Sequence, residues 1–175
     1  VYVLAYVFWV ANYVLIARES KAHCYRVLVG DWIAKLLCAP FFLLLPATIA
    51  RPDASGSGLW LWVTRVIYAG DAPRNLFPSI HCIISLLCFL GLMKTDKMSR
   101  VAKGGVLAFA LLIFASTQFT KQHYISDVIS GVVLALLCYS IAMKTDIAQP
   151  VRKVFERINE KVFGDANEEK KEGTV

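Results

Sequence analysis

The chain has 175 residues, 57% of them hydrophobic, with a mean hydropathy of +0.55 and a formal net charge of +6. Its charges gather in a few short blocks instead of spreading over amphipathic faces, which excludes a soluble enzyme and identifies an integral membrane protein. The positive charge follows the connections between apolar runs, so membrane topology explains it and no nucleic-acid partner is called for.

A helix needs about 20 apolar residues to cross the hydrocarbon core. Residues 1–17 form a first span, and the chain begins inside it with Val instead of Met. No signal peptide is recognisable, which points to a missing N-terminal segment carrying a further helix. A basic loop with Arg18, Lys21 and Arg26 follows, and His23 within it reads as a solvated residue. Residues 32–50 make a second span, with Lys35 one turn in from Asp31, where a long side chain snorkels to the interface.

The connection 51–77 opens with a small polar stretch and continues as an amphipathic piece, 59–69, whose Trp60 and Trp62 read as interfacial anchors. That piece is too short to span, and either lies on the outer surface or dips back as a lid. Residues 80–93 form a short third span that starts at Pro78, an early helical position suited to proline. Residues 101–119 and 124–143 are the fourth and fifth spans. After Pro150, apolar Val151, Val154, Phe155, Ile158 and Val162 recur at helical spacing, a surface helix on the inner leaflet or on the protein. The last dozen residues, rich in Glu and Lys, read as disordered. The expected fold is therefore an all-α, polytopic membrane helix bundle, residues 1–146, followed by an amphipathic cytoplasmic segment, residues 147–175.

Lys and Arg crowd the loops after the first and third spans and the C-terminal segment, which places these three in the cytoplasm. The alternate connections then face outward together, and they carry Arg51, His81 and His123. Five cysteines, odd in number and without C-x-x-C spacing, read as packing residues, with no disulfide framework and no metal site.

Ionisable groups at span edges call for a reason. His123 and Asp127 sit at i and i+4, so on one helix face the carboxylate can hold the imidazole in one tautomer, a pairing that suits a nucleophile or a base. His81 opens another helix just after Pro78-Ser79, where free backbone N–H groups favour an anion. Arg51, followed by Pro52, and Lys121 add the positive charge that phosphoryl transfer requires. Each has a bland reading: a span-edge histidine is usually interfacial, His-x-x-x-Asp can be a surface pair, and Arg51 can anchor a headgroup. Together on one side of the membrane the four are harder to dismiss.

The order Arg51-Pro52, then Pro78-Ser79-Ile80-His81, then Ser116 with Lys121-Gln122-His123-Tyr124-Ile125-Ser126-Asp127, resembles the type 2 phosphatidic acid phosphatase (PAP2) superfamily of membrane lipid phosphatases and phosphotransferases. The resemblance implies a six-helix bundle, of which the visible chain supplies the last five. It also implies a phosphohistidine on His123 oriented by Asp127, with His81 protonating the leaving group. Arg51 would hold the phosphate, Ser79 and the Ile80 backbone would lie against it, and no cofactor or metal is usually required.

Three positions depart from the family pattern. The first-motif Lys falls at Leu44, the Gly between Ser and His is Ile80, and the third-motif Arg falls at Thr117. Lys121 stands one helical turn away as a replacement cation. The run Phe119-Thr120-Lys121-Gln122-His123-Tyr124 is closer in style to the inositol phosphorylceramide synthase-like branch, which transfers headgroups. The expected activity is hydrolysis of a phospholipid or isoprenoid phosphate at the extracytoplasmic face. The alternatives are headgroup phosphotransfer, as in inositol phosphorylceramide or sphingomyelin synthases, and an inactive lipid-binding membrane protein.

Overall fold

A computed structural model describes the backbone of residues 1–172 and the side chains of residues 1–162. Among these residues the chain forms seven helices: α1 (Leu4–Glu19), α2 (Lys21–Leu44), α3 (Leu59–Gly70), α4 (Ile80–Met93), α5 (Arg100–Phe119), α6 (Ile125–Lys144) and α7 (Ala148–Glu172). The described residues hold no strand, only an isolated antiparallel bridge between Thr48 and Arg74. The protein is a polytopic helical bundle, as its apolar runs require.

By length and composition α2, α5 and α6 can cross a membrane. At 16 and 14 residues, α1 and α4 are shorter. An α4 of 14 residues rises only about 21 Å, against a hydrocarbon core of about 30 Å. It can be short because it is the inner helix: α1, α2, α5 and α6 all pack on it, and 9 of its residues are buried. The backbone groups freed at its C-terminal end find partners within the protein. Lys103 Nζ donates to the carbonyls of Met93 (3.0 Å) and Thr95 (2.6 Å), and the His23 Nε2 lies 2.9 Å from the Gly91 carbonyl.

His23 thus ties α2 to α4, whereas its basic neighbours suggest a solvated loop residue. The loop itself is absent. Ser20 alone separates α1 from α2, and its side chain accepts the His23 N–H as an N-cap, 3.2 Å away. The 24 residues of α2 rise about 36 Å, longer than the core, so the helix continues through its basic first turns. Asp31, which looks like a boundary in the sequence, is buried in mid-helix and paired with Lys35 at 2.7 Å. At its other end α2 stops at Leu44, six residues before the apolar run does, and the segment carrying Pro46, Thr48 and Arg51 is irregular.

The spanning helices alternate in direction. Arg26, early in α2, reaches the Met143 carbonyl (2.7 Å) and Asp146 (3.6 Å) beyond the end of α6, and Lys97 after α4 approaches Glu19 at the end of α1 (4.0 Å). The opposite end of the bundle therefore gathers the start of α1, the end of α2, all of α3, the start of α4 and the α5–α6 turn. Between the ends the core is aliphatic, with Ile16, Val27, Ile83, Leu87 and Leu92 in one cluster. The five cysteines are buried free thiols, four of them, Cys38, Cys82, Cys88 and Cys138, fully so.

Helix α3 matches the amphipathic piece read at 59–69, and it buries none of its residues. Helix α7 begins two residues ahead of Pro150 and leans on α2, with the Phe155 ring 6.0 Å from Tyr25 and 6.4 Å from Trp32. The tail read as disordered lies outside the described residues, apart from its backbone up to Glu172.

Candidate active site

The turn between α5 and α6 sets the position of His123. At the end of α5, Lys121 adopts φ 51° while its N–H donates to the Gln118 carbonyl (3.1 Å) and the Gln122 N–H to the Thr117 carbonyl (2.9 Å). These are the two bonds of a Schellman motif, with Lys121 in the left-handed position usually given to glycine. The His123 N–H shares the Thr117 carbonyl at 3.3 Å, so the imidazole is fixed just past the turn.

Asp127, 2% exposed, is held equally firmly. Its Oδ2 accepts the Tyr124 N–H at 2.8 Å, the carboxylate half of a capping box, and its Oδ1 accepts the Ser126 hydroxyl at 3.1 Å. The same Oδ2 lies 3.5 Å from His123 Nδ1, which has no closer partner. That nitrogen faces the carboxylate, leaving Nε2 for chemistry. Burial pulls the His123 pKa below its ordinary value; Asp127 pushes it up, and burial prevails. The ring is therefore neutral at neutral pH, the form a nucleophile needs.

Helix α4 delivers His81 against this turn. Ser79 is its N-cap: the hydroxyl accepts the Cys82 N–H (3.4 Å), and the Ser79 N–H donates to the Asp127 carbonyl (3.1 Å), clamping the two helix starts together. The approach depends on Gly131, where a Cβ would lie 2.8 Å from the Ser79 carbonyl oxygen and 3.3 Å from the Cys82 Cβ. The imidazoles of His81 and His123 then stand 5.9 Å apart between centroids, edge to face. Tyr2, Tyr6 and Trp9 of the α1 region surround His81 at 4.6, 6.2 and 5.3 Å.

Both histidines line one cavity of about 640 Å³, walled by Tyr6, Trp9 and Phe42 and rimmed by Asp71, Arg74, Asn75 and Gln122. Of the residues singled out in the sequence, His81, His123 and Ile80 line it directly, and Asp127 stands behind His123. Ser79 is fully buried and engaged as a cap. Arg51 sits behind Gln122, donating to its Oε1 and to the Tyr68 carbonyl (3.3 Å), with its guanidinium 4.5 Å from the Tyr68 ring. Lys121 is exposed and is not among the lining residues.

Asp71, Arg74, Gln122 and Tyr2 were not recognised from the sequence. For Arg74 a signal existed, a cation in the outward connection five residues ahead of Ser79. For Asp71 and Tyr2 there was none, because each reaches the site only through the packing of α1 and α3.

Paired histidines, one backed by a carboxylate, thus meet at one end of an all-α membrane bundle. The chain belongs to the PAP2 superfamily, whose family model matches residues 1–141 and therefore both histidine motifs. That superfamily consists generally of phosphatase-type enzymes, which supports a phosphatase or phosphotransferase activity at the membrane. No curated protein and no solved structure matches the chain.

Proposed function

We propose that the protein hydrolyses a lipid phosphate, monoester or diphosphate, through a phosphohistidine on His123 at the extracytoplasmic face of the membrane. The observation that carries this reading is the convergence of His123, backed by Asp127, and His81 on one cavity. In the first step His123 Nε2 attacks phosphorus and the bond to the lipid oxygen breaks, while His81 gives that oxygen its proton. Asp127 balances the positive charge that develops on the phosphorylated imidazole. In the second step His81 takes a proton from water, whose oxygen attacks phosphorus and frees both His123 and inorganic phosphate.

Several groups suit the phosphate. Ile80 and His81 line the cavity from the first turn of α4, where backbone N–H groups have no acceptor within the helix. Arg74 lines the rim, and the buried Gln122 Nε2 and Arg51 Nε have no partner among the described residues. Arg74 and Arg51 would thus supply the charge that family cations would have brought at Leu44 and Thr117.

A second reading, transfer of a phospho-headgroup to an alcohol, is favoured by the cavity volume, which far exceeds a phosphate and carries the polar rim of Asp71, Asn75 and Gln122. The test is phosphate release from a panel of phospholipids and isoprenoid phosphates in detergent with EDTA, scoring headgroup exchange in the same extracts. Release lost in His123→Ala supports hydrolysis, and exchange without release supports transfer. A fully active His123→Ala protein refutes the mechanism.

A further inference from the structure

Among the described residues no hydrogen bond holds the His81 ring in place. Its Nε2 is buried without a partner among the described residues, and the second side-chain torsion of histidine is broad, so neighbours must fix the plane of the ring. The closest neighbour is Tyr2, whose ring stacks on the imidazole at 4.6 Å and 30°. Tyr2 is 5% exposed, and its hydroxyl donates to the Asp71 carboxylate at the C-cap of α3. Asp71 lines the same cavity as both histidines. Three separate elements, the start of α1, the end of α3 and the first turn of α4, thus meet in one chain of contacts.

We propose that Tyr2 and Asp71 are a positioning pair for His81, the stacked ring setting the imidazole plane and the carboxylate pinning that ring, so that His81 delivers its proton to the leaving oxygen. The inference rests on the reading of His81 as the acid. Tyr6 and Trp9 complete the packing from α1, and His123 faces from the α5–α6 turn, but neither α1 ring makes a hydrogen bond that couples it to the cavity rim. A pair that only held α1 and α3 together would matter equally for every substrate. In the step that breaks the lipid bond, a pair that positions the acid matters only where the leaving group needs a proton.

The experiment uses the full chain in detergent and two substrates: phosphatidic acid, whose alkoxide leaves poorly without a proton, and p-nitrophenyl phosphate, whose phenolate leaves without one. The readout is first-turnover release of the leaving group, which precedes the water step: His81→Ala should lose about 10²-fold or more with phosphatidic acid while keeping most of that first-turnover rate with p-nitrophenyl phosphate. Tyr2→Phe keeps the stacked ring and removes only the bond to Asp71; Asp71→Asn keeps an acceptor and removes the charge. Each should lower first-turnover diacylglycerol release from phosphatidic acid by about tenfold, with KM for phosphatidic acid and first-turnover p-nitrophenolate release unchanged. If His81→Ala shows the split while Tyr2→Phe and Asp71→Asn lower both rates together, or neither, the positioning pair is refuted and the acid stands. If His81→Ala lowers both rates equally, the acid assignment falls and the pair falls with it.

Discussion

Replacing Gly131 by alanine tests the placement of the site most directly. The new methyl would sit 2.8 Å from the Ser79 carbonyl oxygen, about 0.6 Å short of ordinary contact at 3.4 Å, and 3.3 Å from the Cys82 Cβ. Both obstacles belong to the start of α4, and the first is backbone, so no side chain can swing aside. Helix α6 must back away by roughly half an ångström. Overpacking of this kind costs about 1–3 kcal/mol, offset by up to about 1 kcal/mol because alanine suits a helix interior better than glycine. The net loss of stability should be about 1–2 kcal/mol.

The displacement also stretches the 3.1 Å bond from the Ser79 N–H to the Asp127 carbonyl, and so separates the two histidines. A misplacement of about 1 Å can cost about 10²-fold in rate, so half of that predicts roughly tenfold in kcat. The assay is turnover and thermal midpoint in detergent, with Gly104→Ala as the control, since a Cβ there meets nothing within 4 Å. The control should hold its activity and gain slightly in stability. Wild-type turnover and midpoint in Gly131→Ala, or an equal loss in Gly104→Ala, would refute the close α4–α6 approach as the device that places the site.

Because burial lowers the His123 pKa, the acid limb of kcat/KM should be centred below the ordinary imidazole value of about 6.5; an acid limb centred above 7 would contradict the buried, neutral nucleophile. Lys121→Gly should raise the thermal midpoint, by about 1 kcal/mol in stability, because it relieves a left-handed residue, and should leave turnover intact. A tenfold loss there would return the Lys121 ammonium to the phosphate site. Lys35→Met should destabilise by roughly 3 kcal/mol, since it strands the buried Asp31 carboxylate, and adding Asp31→Asn should recover most of that. If the double variant is no more stable than the single one, the pair is not the reason the charges are tolerated.

The helices and the two histidine motifs were legible because both depend on near neighbours in sequence: apolar runs mark spans, and His123 with Asp127 is an i, i+4 relation. The errors came where a local sign had a remote cause. Charge looked like the edge of the second span, yet Asp31 carries its own counter-ion one turn away and α2 runs straight past it. Arg51 looked like a direct phosphate ligand, yet Gln122 lies between its guanidinium and the cavity, so that it reaches the site through Gln122.

Lys121 makes the general point. On a helix, an offset of two residues sets a known angle between side chains, and a cation two residues before His123 can be placed by arithmetic. At residue 121 the helix has already ended, and a backbone φ of 51° reverses the direction of the chain within a single residue. Spacing therefore says which groups share a face only while the backbone keeps its period. In the turns, where this site is assembled, the torsion of one residue decides whether a charge meets the substrate or the solvent. Here it sends the ammonium outward and brings His123 in.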